Sequence, residues 1–214
     1  MHMRSRSLRA VSALVALVIG GTALHAQSGK SLGVQDANIA AEKDIATMPH
    51  MTPALAKELV GKRPFLTMTA LDAFLATKLT KEQRTALYPK LFLQINLNSA
   101  SREEIMLVPQ MGPRFLREFL EYRPYKSLPQ WRREMGKYVK EDEVARMEQY
   151  VFVSVDLNAA TDEDILTLPG VGARILREFK EYRPWKTMEQ FRREIGKYVD
   201  AKEVARLERY VEIR

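Results

Sequence analysis

The chain contains no cysteine, which excludes disulfides, thiolate metal sites and cysteine nucleophiles. Histidine is scarce. His2, His25 and His50 are the whole supply, and the first two fall in a segment that reads as an export signal. A single remaining histidine cannot form a metal-binding histidine cluster, nor supply a Ser-His pair to several units. With 10 glycines and 10 prolines among 214 residues, the chain is neither collagen-like nor broadly disordered. No constellation of residues suggests an enzyme, so neither catalytic residues, nor a metal, nor a cofactor are expected.

Only one long apolar run is present. It extends from Val11 to Ile19 behind Arg4, Arg6 and Arg9, with no acidic residue near it. The stretch ends Ala23-Leu24-His25-Ala26, which predicts a secretory signal over residues 1–26 with cleavage after Ala26. The run is too short for a comfortable membrane span, which needs about 20 apolar residues. Cleavage would remove three positive charges from a formal total of +7. The expected location is therefore periplasmic or secreted. Residues 27–35 predict a short flexible leader.

The remainder is dominated by an internal repeat at a fixed offset of 60 residues. Leu97-Asn98-Ser99-Ala100 matches Leu157-Asn158-Ala159-Ala160, and Glu121-Tyr122-Arg123-Pro124 matches Glu181-Tyr182-Arg183-Pro184. Gly136-Lys137-Tyr138-Val139 matches Gly196-Lys197-Tyr198-Val199. More than half of the aligned positions are identical between these two copies. A fainter copy lies upstream, where Asn38, Ala40, Ile45, Pro49, Glu58, Arg63 and Pro64 keep the same offset. The predicted units are 36–95, 96–155 and 156–214.

Each unit predicts four short helices and no sheet, an all-α class. In the last unit Thr161-x-x-Asp164 starts a helix that runs to Thr167, and Leu168-Pro169-Gly170-Val171-Gly172 forms a turn. A second helix over 172–182 carries Ile175, Leu176 and Phe179 at helical spacing and stops at Pro184. A third covers 190–195 behind Thr187. Asp200-x-x-Glu203 predicts a capping box for the fourth. Val151–Val155 and Val211–Ile213 predict extended linkers. Trp131 and Phe191 predict core, as do Tyr125 and Trp185, whereas His50 predicts an exposed loop residue.

The entry string Asp156-Leu157-Asn158-x-Ala160, the Leu168-Pro169-Gly170-Val171-Gly172 turn and the basic helix ending Tyr182-Arg183-Pro184 resemble a helix-hairpin-helix domain of the ComEA type. That group includes exported double-stranded DNA receptors of bacterial competence. The resemblance covers nearly all of the chain after the signal, strongly in the last unit and weakly in the first. It implies sequence-independent phosphate capture by a glycine turn and the helix end behind it. In the last unit the implied DNA-binding residues are Gly170, Val171, Gly172, Arg174 and Arg177. In the middle unit Gln110 replaces the first glycine, leaving Gly112, Arg114 and Arg117. In the first unit His50, Thr52 and Ala54 replace both glycines and the arginine. The second hairpin of each unit departs from the family, which places a G-x-G there. Only Lys137 and Lys197 stand as contributors from it.

Charge weighs against DNA as the ligand. The middle unit carries 10 Lys+Arg against 9 acids and the last 12 against 12, whereas a DNA-binding domain normally shows a cationic excess or a clustered basic stripe. Three readings of function stay open at this point. One is non-specific double-stranded DNA binding led by the last unit. Another is a structural or adaptor role in the cell envelope, with the fold kept for protein contacts. A third is an accessory subunit of a DNA-processing complex.

Overall fold

The computed structural model describes residues 33–214; the predicted signal and most of the predicted leader lie outside that range. Twelve helices occur among the described residues, in three successive sets of four. The first set comprises α1 (Glu42–Ile45), α2 (Pro53–Lys62), α3 (Met68–Ala76) and α4 (Lys81–Leu87). The second comprises α5 (Arg102–Met106), α6 (Pro113–Glu121), α7 (Leu128–Met135) and α8 (Glu141–Glu148). The third comprises α9 (Asp162–Leu166), α10 (Ala173–Glu181), α11 (Met188–Ile195) and α12 (Ala201–Glu208). No helix among the described residues is long and apolar enough to cross a membrane.

Contrary to the sequence expectation, the connecting segments are not free linkers. Each set is closed by a two-residue parallel ladder. β1 (Gln35–Asp36) pairs with β2 (Leu91–Phe92), β3 (Ile95–Asn96) with β4 (Val151–Phe152), and β5 (Val155–Asp156) with β6 (Val211–Glu212). The ladders tie the start of each set to its end, which propensity over two residues does not reveal. Ordered pairing therefore begins at Gln35, within the stretch predicted as a flexible leader.

Local chemistry explains the helix starts. Thr80, Ser101 and Thr161 each cap a helix in a reciprocal box with the side chain three residues on, satisfying donors the helix leaves open. Asp200 accepts from the Glu203 amide at 2.8 Å, but the predicted box is only half made, because the Glu203 carboxylate pairs with Arg206 instead. The third helix of the last set begins at Met188, earlier than predicted, since Thr187 accepts from the Gln190 amide.

The repeated Asn and Arg of the entry motif are structural. Asn158 brackets the backbone of Trp185, accepting from its amide at 2.7 Å and donating to its carbonyl at 2.9 Å. Arg183 donates from Nε to the Leu157 carbonyl and from Nη2 to the Ala160 carbonyl, at 2.6 and 2.7 Å. Asn98 and Arg123 repeat these bonds, as do Asn38 and Arg63. The peptide bond between that arginine and the following proline is cis in all three sets. Behind this frame Trp131, Phe191 and Tyr125 are fully buried, and Trp185 nearly so. The Phe191 ring lies 5.5 Å from that of Phe179 and 5.6 Å from that of Trp185.

Neighbouring sets pack through aromatic residues near their ladders. Phe92 meets Tyr150 edge-on at 5.0 Å, and Phe152 meets Tyr210 at 4.7 Å. The third set also touches the first. Arg209 donates to the carbonyls of Leu66 and Gln94, and the Tyr210 hydroxyl donates to Asp36. The two consecutive junctions differ. Between the first and second sets, Glu104 Oε1 accepts from the Met68 amide at 2.8 Å, latching α5 to the start of α3. At the next junction the corresponding Leu128 and Asp164 instead line a cleft of about 720 Å³.

Candidate nucleic-acid interface

In each set the turn before the second helix reverses through one residue in the left-handed region: His50 (φ 61°), Gln110 (φ 63°) and Gly170 (φ 74°). Such a conformation costs an L-residue roughly 1–2 kcal/mol, so only Gly170 adopts it freely. Next to Gly170 lies a buried arginine. Arg206 is 3 % exposed, donates to the Pro169 carbonyl and pairs with Glu203. A β-carbon on Gly170 would sit 2.8 Å from Arg206 Nη2. Arg146 makes the equivalent bond to Pro109 beside Gln110. The first set has Ala86 there and no such anchor.

Val171 takes no part in an open cradle. Its amide donates to the Leu168 carbonyl at 3.1 Å and its side chain packs against the core. Met111 and Met51 repeat the amide bond. The turn thus uses the Val171 N–H to close itself, so this amide is not among the open donors. The open donors lie one step further on.

Gly172 is the N-cap of α10, in extended conformation and without a side-chain cap. The first intrahelical bond runs from the Leu176 amide to the Gly172 carbonyl. The amides of Ala173, Arg174 and Ile175 therefore lack helix partners, and among the described residues none of them has another. Gly112 caps α6 in the same way, but Pro113 follows it and supplies no N–H. In the first set Thr52 occupies the cap and its hydroxyl accepts from the Leu55 amide at 3.2 Å. The three helix ends thus form a series: open in the third set, open with one donor fewer in the second, and partly closed by a hydroxyl in the first.

Side chains behind the open ends gather on one face. In the third set Arg174 lies over the Tyr198 ring at 5.8 Å and donates to the Tyr198 carbonyl at 3.3 Å. Lys197 lies over Tyr182 at 5.3 Å and pairs with Glu194. Arg177 pairs with Glu178 and Arg193 with Glu194. The second set reproduces this arrangement with Arg114, Arg117, Arg133, Lys137, Glu118 and Glu134. The family-implied Arg174, Arg177 and Lys197 are thus brought together, as are Arg114, Arg117 and Lys137. Gly196 gives no second positive-φ turn. It caps α11 in right-handed conformation, where a β-carbon would meet the Arg192 carbonyl at 2.7 Å.

Burial separates the signs of charge. The Arg177 side chain is 70 % exposed and its partner Glu178 only 2 %; Arg193 and Lys197 are 66 % and 53 % exposed over a Glu194 that is 11 % exposed. Three cations therefore stand above two sunken carboxylates, with Arg174 beside them on the Tyr198 ring. Charge totals along the sequence cannot register this layering. Burial pushes the Glu178 carboxyl up, but the Tyr198 hydroxyl and Arg177 outweigh it and hold the group below the ordinary carboxylate range. Lys197 and then Arg193 hold Glu194 below that range too, and Glu194 in turn raises Lys197.

The other arginine pair divides its labour. Arg132 joins α7 to α8 through Glu148, and Arg192 joins α11 to α12 through Glu208; only the second member of each pair, Arg133 or Arg193, belongs to the cationic face. Tyr138 and Tyr198 were missed as site residues. Their signal was available in the repeated Gly-Lys-Tyr-Val string, where tyrosine directly follows the lysine already singled out. No protein-family model matches this chain, and neither a curated protein nor a solved structure matches it.

Proposed function

We propose that this chain is an exported, non-specific double-stranded DNA-binding protein built of three tandem helix-hairpin-helix units, with the third leading and the second assisting. The observation that carries the reading is the coincidence, on one face, of the uncapped α10 end, the Arg174 side chain and three exposed cations over buried carboxylates. A helix end with free amides favours an anion. Cations standing proud of their partners present positive charge to a polyanion even though the unit as a whole is neutral. Contacts of this type go to phosphate and carry no sequence information. The first unit, closed by Thr52 and carrying Ala54 in place of the arginine, serves as packing support.

The competing reading is a structural or adaptor protein of the cell envelope. It is favoured by the fact that most of the face cations already hold an internal carboxylate partner. A salt titration of binding to random-sequence duplex DNA separates the two. The wild type should bind at low salt with log K falling linearly in log salt, and Arg174→Ala should lower the slope by about one unit. Absence of binding at low salt would leave the adaptor.

A further inference from the structure

Two cations of the exposed face that follow different turns, Arg174 and Lys197, are joined by a pair of tyrosines. The Tyr198 ring carries the Arg174 guanidinium, and the Tyr182 ring carries the Lys197 ammonium. The tyrosine hydroxyls bond each other at 3.0 Å, with ring centroids 6.4 Å apart. In the second set Tyr138 carries Arg114 at 5.9 Å and Tyr122 carries Lys137 at 5.0 Å, with the hydroxyls 2.9 Å apart. The first set is an internal control. Lys62 and Lys78 stand at the tyrosine positions, Ala54 and Thr77 at the cation positions, and Lys78 pairs with Glu58. Tyrosines and cations are present together or absent together.

We infer that Tyr122–Tyr138 and Tyr182–Tyr198 are positioning residues that hold a hairpin arginine and a loop lysine as one two-point grip on the nucleic-acid backbone. The inference rests on the DNA reading above and deepens it: each unit has one composite site instead of two separate hairpin sites. The physical reason is entropy. Free arginine and lysine side chains sample many rotamers, and ordering them opposes binding. A ring face attracts the cation through its quadrupole while leaving N–H donors free for phosphate. Because the rings are joined through their hydroxyls, the two cations are set relative to one another before the ligand arrives. The Tyr182 ring also packs on Trp185 at 5.7 Å, which ties the pair to the core.

The test is a double-mutant cycle on the full chain with random-sequence duplex DNA. It uses Tyr198→Leu, Tyr198→Phe, Arg174→Ala and the double variant Tyr198→Leu/Arg174→Ala, with folding followed by thermal melting. Tyr198→Leu should weaken binding about two- to fivefold, the size of one exposed cation–π contact. Tyr198→Phe keeps the ring that carries Arg174 but cuts the hydroxyl bond to Tyr182, so its affinity should fall between those of the wild type and Tyr198→Leu. The double variant should bind no more weakly than Arg174→Ala, because the tyrosine acts through the arginine. A second readout needs no DNA: ring-current shifts of the Lys197 ε-methylene protons should be present in the wild type and lost in Tyr182→Leu. Additive losses in the cycle, or wild-type affinity and salt slope in Tyr198→Leu, would overturn the grip while leaving DNA binding intact. A wild type that binds no DNA at low salt removes the DNA reading and the inference together. Unshifted Lys197 protons in a wild type that does bind would refute the positioning alone.

Discussion

The first and third sets share a frame and differ at the turn. Both hold the entry loop with an asparagine and an arginine, and both reverse through a left-handed residue. In the first, a threonine hydroxyl occupies the helix end, and Ala54, Ala73 and Thr77 stand where the third set has Arg174, Arg193 and Lys197, leaving Lys57 at the Arg177 position. In the third, the end is bare and cations surround it. Residues needed to make the turn were kept in both copies; residues that matter only if something docks there were kept in one. That contrast argues that the open end of α10 is more than a by-product of the fold, since the fold forms equally with the end closed.

The largest expected effect separates the anchors beneath the two turns. Arg206 is buried under the third turn, whereas Ala86 stands at the corresponding place in the first. Arg206→Ala should remove about 2–3 kcal/mol of stability, because it strips the Pro169 carbonyl of its donor and leaves Glu203 unpaired. Glu203 is partly exposed, which keeps the figure below that of a fully buried pair. Denaturant unfolding measures it, and a loss under 0.5 kcal/mol would mean the third turn needs its anchor no more than the first does.

The next experiment converts one turn into the other. Gly172→Thr installs the cap of the first set, and a β-carbon there meets nothing within 4 Å. The new hydroxyl should accept from the Ile175 amide as Thr52 does from Leu55, leaving stability unchanged or raised by a few tenths of a kcal/mol. Duplex DNA binding should fall about tenfold, the equivalent of one charge-assisted hydrogen bond. Gly170 is the poorer choice for this purpose, because its φ and its contact with Arg206 mix folding with binding. A Gly172→Thr variant that binds as well as wild type would show that the open end is not used.

Much of the frame was legible in the residues because periodicity reports burial. Ile175, Leu176 and Phe179 located α10, and Thr161, Thr187 and Asp200 located helix starts of the last unit to within two residues. The ladders were not legible, since a two-residue strand is made by its partner 56 residues away and not by its own propensity. The cationic face was half legible. Arg174, Arg177 and Lys197 were marked by the turn they follow, but the neutral sum of the last unit hid their exposure, because sequence cannot say that Glu178 and Glu194 point inward. The use of the Val171 amide within the turn was not legible either, for a related reason. A turn motif names the residues of the turn without telling which amides the turn itself consumes.

Acid should distinguish the sets as well. Glu194 and Glu178 are held below the ordinary carboxylate range in the third set, as are Glu134 and Glu118 in the second. In the first, Phe74 replaces the first of these, and Glu58 is exposed. A carboxyl depressed on folding stabilises above its unfolded value, about 4.3 for glutamate, and that contribution is lost as pH falls through the folded value. Lowering pH through and below 4 should therefore release α10 and α11 before α2 and α3. Amide exchange along the chain reads the order, and Glu194→Gln should flatten the acid limb of the third set. Simultaneous release of all three sets would contradict the assignment.

The smallest expected effect extends the comparison from turns to junctions. Glu104 reaches across to the Met68 amide and at the same time caps α5 with its other oxygen. Asp164 caps α9 through the same kind of box but lies on the wall of a cleft, with Leu128 across from it. Its side chain is one methylene shorter. Glu104→Asp should therefore keep the cap, as Asp164 does, and lose only the latch. The expected cost is about 1 kcal/mol, one net hydrogen bond, or a fall of roughly 2–4 °C in melting temperature for a chain of this size. Asp164→Glu makes the reverse change. If side-chain reach is what sets the two junctions apart, the longer carboxylate should find the Leu128 amide, protect it from exchange and recover part of that stability. If the Leu128 amide exchanges as before, the difference between the junctions resides in the packing of α7 against α9 and not in one methylene.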